Sequence, residues 1–441
     1  LPTVPLWFVR LLTRPQILRW AAPLRTLRYT FGWRPPRIPL HQALSILVIR
    51  PDEIGDLVLT TSFLRELRRA APLAHITLIV KTACPELVQH CPYVDAVYSF
   101  DFSAGITRHW SLCRWAWTLR TIRRFWRGFD LIMLPRRGAD HYGSELLAYL
   151  LAGRGTILAH RESLPKIASG SRLRSGAITY FSNPHVEHEV LHNLRFLRWC
   201  GAADVQDDQL ELWITDTDRR FARTFLDHNI THRGPLVVVH PSGGRSPLKQ
   251  WPVVNYKSLV DRLLTETNSN VLVVGGRNEL WLAEIFPKQA SDRIATSIGQ
   301  IGLRQVAAVL ERASVFVGGD AGPMHIAAAT GIAVIGIFGP TSVLRFSPWG
   351  AKCRVVSRHY ACTPDELETF ADRCHACRFA ESWCLTGLSV DKVFSEVKSG
   401  LWEAGSKIAN DPVGVADEPM GVSGQALRFA LSWSHRAESN R

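Results

Sequence analysis

In the run Arg50-Pro51-Asp52-Glu53-Ile54-Gly55-Asp56 an apolar, strand-like stretch gives way to a helix-like one, and the carboxylate of Asp56 stands where the helix opens. A carboxylate there suits two tasks, capping the helix for about 0.5–2 kcal/mol or taking a proton from a bound hydroxyl. Farther along, His240-Pro241-Ser242-Gly243-Gly244-Arg245 leaves a strand into a glycine-rich turn, and Lys249-Gln250-Trp251-Pro252 precedes a helix. Small residues let backbone N–H groups approach a phosphate, and Lys249 adds a point charge. A third stretch, Gly318-Gly319-Asp320-Ala321-Gly322-Pro323-Met324-His325, runs from a strand into a helix that starts near Pro323. The N–H donors and dipole of such a helix start are a seat for pyrophosphate. A plain turn needs the same residues, and His325 alone reads equally as a satisfied histidine, so each stretch by itself leaves both readings open.

The elements that must position these residues alternate between strand and helix patterns, the signature of parallel sheets with helical crossovers. Strands are expected at 45–50 (SILVIR), 75–80, 94–100 and 129–134, with a helix over 56–70 that turns Leu57, Phe63, Leu64 and Leu67 inward. Over 110–126 the stripe Trp115, Leu119, Ile122 and Trp126 predicts a helix that leaves Arg114, Arg120, Arg123, Arg124 and Arg127 largely free. A second series has strands at 236–240, 271–275, 314–317 and 332–338, and helices at 253–265, 303–312 and 323–330. Two α/β units in tandem follow, with 210–227 read as the hinge region and a ligand site expected where strand ends face each other. Neither GxxxxGK[ST] nor GxGxxG follows a strand, which disfavours a P-loop kinase or a dinucleotide dehydrogenase.

At 441 residues the chain is too long for one core, and 46% hydrophobic with 21% charged residues excludes a largely disordered chain. Its net charge of +13 is local: residues 1–40 hold seven arginines and no acid, and residues 108–137 hold eight arginines with Asp130 as the one acid. Such patches call for an anionic partner, whether nucleic acid, an acidic membrane or a phosphorylated substrate. No apolar run of about 18 residues spans a bilayer. The first forty residues read either as an interfacial segment or as a disordered basic extension. His188-Glu189-Val190-Leu191-His192 matches HExxH, yet it also reads as part of an amphipathic helix over 187–199 with Val190, Leu191, Leu194 and Leu197 inward. Cys362, Cys374, Cys377 and Cys384 include a CxxC and suit a zinc knuckle, free thiols or a disulfide.

Taken in order, IGDLVLTTSFLRELR, HPSGGRSPLKQWP, VLVVGGRNE, VGGDAGPMHIAAATG and IGIFGPTS resemble the glycosyltransferase family 9 enzymes, the ADP-heptose:lipopolysaccharide heptosyltransferases, over roughly 44–400. The resemblance implies an α/β fold of GT-B type, with two Rossmann-like domains facing each other across a cleft and closing about a hinge. It implies an acceptor domain (41–215) and a nucleotide-sugar domain (216–400), flanked by a basic aromatic extension (1–40) and by a tail (401–441) whose polar, unpatterned composition reads as mobile. It makes Asp56 the general base and puts Lys249, with Ser242 nearby, on the donor phosphate. Glu279 falls on the ribose hydroxyls, Ile301 beside the adenine and Asp320 on the sugar. Ala321, Gly322, Pro323 and His325 line the pyrophosphate site. The Ser242–Lys249 turn is richer in glycine and proline, and poorer in threonine, than the family pattern.

The function so implied is an inverting, metal-independent transfer of a heptose or related sugar from an ADP-sugar to a lipopolysaccharide-type or other anionic acceptor, with no cofactor. Its setting is cytoplasmic, with the inner membrane leaflet a further partner and nucleic acid disfavoured. The readings set against it are a basic nucleic-acid or membrane-surface binding protein without catalysis and, more remotely, an HExxH zinc protease.

Overall fold

The computed structural model describes residues 38–100, 128–138, 140, 142–152, 155–161, 178–183, 185–244, 246–286, 292–358 and 382–410. The extension before residue 38, the arginine-rich helix expected at 110–126, Cys362, Cys374 and Cys377, and everything after 410 lie outside the described residues. The chain divides into two compact units between Asp208 and Gln209.

In the first unit six strands, β1 (Ser45–Arg50), β2 (His75–Lys81), β3 (Ala96–Phe100), β4 (Leu131–Leu134), β5 (Thr156–Arg161) and β6 (Ile178–Ser182), form a sheet ordered β3-β2-β1-β4-β5-β6. Every pairing is parallel. Ile46, Leu47, Val48 and Ile49 are all fully buried, so β1 is covered on both faces, as its unbroken apolar run requires. The expected helix over 56–70 is two helices, α1 (Ile54–Val58) and α2 (Thr61–Ala70). The hydroxyls of Thr60 and Thr61 donate to the carbonyls of Asp56 and Val58, at 2.7 and 2.8 Å, and so compete with the helix ladder where it breaks. Next come α3 (Ser144–Leu151) and α4 (Glu189–Cys200), which turns Val190, Leu194 and Leu197 inward as expected, leaves Leu191 only partly buried, and ends at Gly201 in the left-handed region.

The second unit repeats the plan. Strands β7 (Leu236–His240), β8 (Asn270–Val273), β9 (Ile294–Thr296), β10 (Val315–Gly319), β11 (Ala333–Phe338) and β12 (Cys353–Ser357) form a sheet ordered β12-β11-β10-β7-β8-β9, again all parallel. Most of the segment read as a hinge is a helix, α5 (Asp216–Asn229), opened by a capping box between Thr215 and Asp218. Helices α6 (Val253–Glu266), α7 (Leu303–Leu310) and α8 (Gly322–Ala329) fall within three residues of their expected bounds. The last helix, α9 (Val390–Asn410), runs into the segment expected to be a polar tail, because Val393, Phe394 and Val397 bury against the sheet.

Each sheet starts in its middle and is built outward in both directions, so the order reverses between its first and fourth strands in sequence. Adjacent connections diverge there and leave a crevice at the carboxyl ends of the strands. The two crevices fall between β1 and β4 and between β7 and β10.

Trp251, fully buried, stacks edge-on against Tyr256 at 4.8 Å, and its indole N–H donates to the Leu388 carbonyl at 3.0 Å, tying the stretch before α9 to the turn that carries Lys249. Trp251→Phe removes volume and leaves that carbonyl unpaired, so urea unfolding of the full chain should show a loss of about 2–3 kcal/mol. A loss below about 0.5 kcal/mol would show that the indole holds nothing in place.

Candidate active site

At the second crevice the chain leaves β7 through His240-Pro241-Ser242-Gly243-Gly244, and the turn is held shut by Gln250. Its side-chain amide donates to the Pro241 carbonyl at 2.8 Å, and its amide oxygen accepts from the Gly243 N–H at 3.2 Å. A Cβ on Gly243 would lie 2.7 Å from the backbone of Ser246, Lys249 and Gln250, so only glycine lets the turn fold on itself. Gly319, at the end of β10, also sits close beneath this turn, where a Cβ would stand 3.3 Å from the carbonyls of Ser242 and Lys249.

This close approach brings Lys249 Nζ to 2.7 Å from Asp320 Oδ2, while His325 Nε2, from the first turn of α8, lies 3.6 Å from Asp320 Oδ1. Burial pushes the Asp320 carboxyl up, but the Lys249 charge and His325 outweigh it and hold it far below the usual carboxylate range. Asp320 therefore keeps its charge although it is buried. Lys249, expected on a donor phosphate, is engaged by Asp320, with a quarter of its side chain still exposed. Ala321 caps α8 without a side-chain acceptor, and Gly322 and Pro323 open it, so the pocket floor has backbone N–H groups of a helix start, Pro323 giving shape but no donor.

A second group forms beside it. Glu279 accepts from the Gly276 N–H at 2.6 Å and pairs with His240 Nε2 at 3.3 Å. Burial raises its pKa, but His240, Ser242 and Gly276 outweigh this and bring it down to about 2. Ser242, which hydrogen-bonds Glu279, also accepts from the Gly244 N–H at 3.0 Å. Gly244 takes the left-handed φ of +66° at that point. Ile301 stands partly buried in the bend after β9, the next strand end along. His240 was not anticipated; its one signal is a polar residue ending the apolar run LVVVH.

In the first unit Asp56 lies on α1 with its side chain 28% exposed, and Arg50 Nη2 is 3.7 Å from its Oδ1. Arg50, the last residue of β1, is buried, with Asp52 at 3.1 Å and Glu189 at 3.3 Å. Burial works against its charge, but Asp52, Glu189 and Asp56 outweigh that and raise its pKa. Arg136, after β4, pairs with Asp52 at 2.5 Å, Lys81 pairs with Glu53, and both cations flank the Tyr142 ring, 5.2 and 5.7 Å from its centre. The sequence did not signal these pairings, since Glu189, Asp52 and Glu53 reach Arg50, Arg136 and Lys81 from distant elements.

The HExxH reading fails on geometry. His188 is the N-cap of α4, its Nδ1 accepting from the Val190 N–H at 3.3 Å, and Glu189 is spent on Arg50. His192 is fully buried, its ring centre 4.3 Å from that of His160 and its Nδ1 3.4 Å from Glu187. Among the described residues no group of His, Cys, Asp and Glu could hold a metal ion, and no helix is long and apolar enough to cross a membrane. Of the cysteine cluster, Cys384 alone is described, and both arginine-rich stretches behind the binding-protein reading lie largely outside the described residues.

Residues 175–373 match the model of glycosyltransferase family 9 (heptosyltransferase). Lipopolysaccharide heptosyltransferase 3 of Escherichia coli is 23% identical over 300 residues, covering 67% of this chain and 82% of that protein. Lipopolysaccharide heptosyltransferase 2 of Salmonella typhimurium is 23% identical over 331 residues, 71% of this chain and 88% of its own. Among solved structures, the family 9 glycosyl transferase of Veillonella parvula superposes with a TM-score of 0.67 at 19% identity, covering 83% of this chain and 98% of that one. The E. coli heptosyltransferase WaaC with ADP gives 0.58 at 17% identity, with 81% and 100% covered. The fold is of GT-B type.

The paired state of Glu279 has a signature. A carboxyl held at about 2 against its ordinary 4.5 contributes stability fully present above pH 4.5 and lost as the pH falls toward 2. Urea unfolding of the full chain at stepwise lower pH should show a decline across that window that is shallower in Glu279→Gln. Equal slopes would mean that His240 and Ser242 do not hold the carboxylate.

Proposed function

We propose, for a chain that is a heptosyltransferase-like glycosyltransferase of the family 9 type, that it moves a heptose from ADP-heptose to an anionic, lipid-linked saccharide of the lipopolysaccharide core. The observation that supports this reading is the grouping of Lys249, Asp320 and His325 at the start of α8, where a cation, an ionised carboxylate and backbone N–H donors share one strand end. The donor diphosphate takes the place beside Lys249 and the first turn of α8, with Ala321, Gly322, Pro323 and His325 around it. Asp320, released from part of its pairing, accepts from the sugar hydroxyls. Glu279, with Ser242 against it, accepts from the ribose hydroxyls, and Ile301 gives the adenine an apolar face.

The transfer is a direct displacement. The acceptor hydroxyl oxygen attacks the anomeric carbon, its proton passes to Asp56, and the bond from that carbon to the phosphate oxygen breaks, with the electron pair leaving on ADP. Attack opposite the leaving group inverts the anomeric centre. A placed base contributes about 10²–10⁴-fold. Lys249 and the helix N–H groups meet the charge that grows on the departing diphosphate, the role a divalent metal plays elsewhere. The exposure of Asp56 suits a base that must reach a substrate hydroxyl. A lipid-linked acceptor puts the reaction at the cytoplasmic face of a membrane.

A thermal-shift series with ADP-, UDP-, GDP- and CMP-sugars tests the donor, and the expected result is selective stabilisation by ADP compounds. Asp56→Ala should lower turnover by about 10²–10⁴-fold while leaving ADP affinity unchanged. Lys249→Ala should weaken ADP binding. Stabilisation by a UDP-sugar with none by ADP compounds would overturn the donor, and an active Asp56→Ala enzyme would overturn the base.

A further inference from the structure

We propose that Glu189, acting through the buried guanidinium of Arg50, is a positioning residue that sets how strongly Asp56 holds a proton. The inference rests on the reading of Asp56 as the base, and it gives a role to the glutamate of the HExxH sequence that a metal site does not.

One nitrogen carries the connection. Arg50 Nη2 lies 3.3 Å from Glu189 Oε1, within hydrogen-bond reach, and 3.7 Å from Asp56 Oδ1. The Nε of the same side chain faces Asp52 at 3.1 Å, while Nη2 donates to Glu189 and lies within ion-pair distance of Asp56. Of the three carboxylates on this guanidinium, Asp52 is 8% exposed and Glu189 3%, while Asp56 is 28% exposed. Two of the three are therefore shut away from solvent, and the third is open to it. A substrate hydroxyl reaches only Asp56.

The signs follow from charge. Arg50 alone would hold Asp56 firmly ionised and make it a weak base. Glu189 opposes this twice: it takes a hydrogen bond from the nitrogen that faces Asp56, and its negative charge disfavours ionisation of Asp56. Two further cations on this edge are each matched by a carboxylate, Lys81 from β2 by Glu53 and Arg136 from the loop after β4 by Asp52. Cys84 and Tyr142, two further titratable neighbours that sense the Asp56 charge, have pKa values raised by burial first and by these carboxylates after it, and both stay neutral. Arg50 with its pKa raised stays charged. Glu189 is thus placed to tune, through Arg50, how basic Asp56 is.

The test follows Asp56 directly, in full-length protein carrying aspartate labelled with ¹³C at Cγ, its resonance assigned by loss in Asp56→Asn. In Glu189→Gln, which keeps the shape and the acceptor, the Asp56 titration midpoint should fall by about one pH unit. It should rise in Arg50→Gln and return toward the parent value in Arg50→Lys. With ADP-heptose and heptose-deficient lipopolysaccharide as probes, the acidic limb of kcat should move the same way in Glu189→Gln, with KM for ADP-heptose unchanged. A merely structural Glu189 would lower activity without moving midpoint or limb. An unchanged or raised midpoint in Glu189→Gln overturns the inference, and that variant decides it even if Arg50→Gln does not fold. Full turnover in Asp56→Ala would instead overturn the base reading, whatever the titration shows.

Discussion

A parallel sheet delivers all its strand ends to one edge, and where strand order reverses, the departing connections leave that edge uncovered. This constraint organises both units. Between β1 and β4 it gathers Arg50, Asp52 and Arg136, with Asp56 a turn away, and between β7 and β10 it gathers His240, Ser242 and Asp320, with Lys249 folded over them. The strands themselves are plain apolar runs, and their job is to hold these ends in register, as Gly318 against His240 does between β10 and β7.

Charge brought to such an edge is partly withdrawn from water and must be answered. Asp320 is answered by Lys249 and His325, Glu279 by His240, and Arg50 by three carboxylates. Buried pairs of this kind add little net stability, while removing one partner strands the other at a cost of about 3–5 kcal/mol. Their use is in what arrives. In the proposed reaction an incoming diphosphate draws Lys249 from Asp320, and an incoming sugar or ribose hydroxyl meets an ionised carboxylate, Asp320 or Glu279.

How much of this the sequence carried depends on how local each signal was. The turn after β7, the start of α8 and the opening of α1 were legible because glycine, proline and a polar residue follow an apolar strand within a few positions. The Lys249–Asp320 pair joins two such signals across 71 residues and needs only the sheet order to predict it. Arg50 was visible merely as the end of SILVIR; its burial against Glu189, 139 residues away, is a tertiary fact with no local trace. The same blindness made HExxH ambiguous, since a helix cap and a buried counter-ion use the same letters as a zinc site. Strands β5, β6, β9 and β12 escaped notice because they are short or interrupted by polar residues such as His160, Thr179 and Arg354. The break between α1 and α2 came from two threonine hydroxyls competing with backbone donors, an effect that apolar spacing does not register.

The second crevice is the proposed seat of adenosine diphosphate, and a crystal structure of the full chain with ADP tests this most directly. The account predicts phosphate oxygens within hydrogen-bond distance of Lys249 Nζ and of the Gly322 N–H, with Lys249 drawn off Asp320 and the adenine beside Ile301. ADP bound in the first unit, or in the second with the Lys249–Asp320 pair intact and the start of α8 untouched, would contradict it.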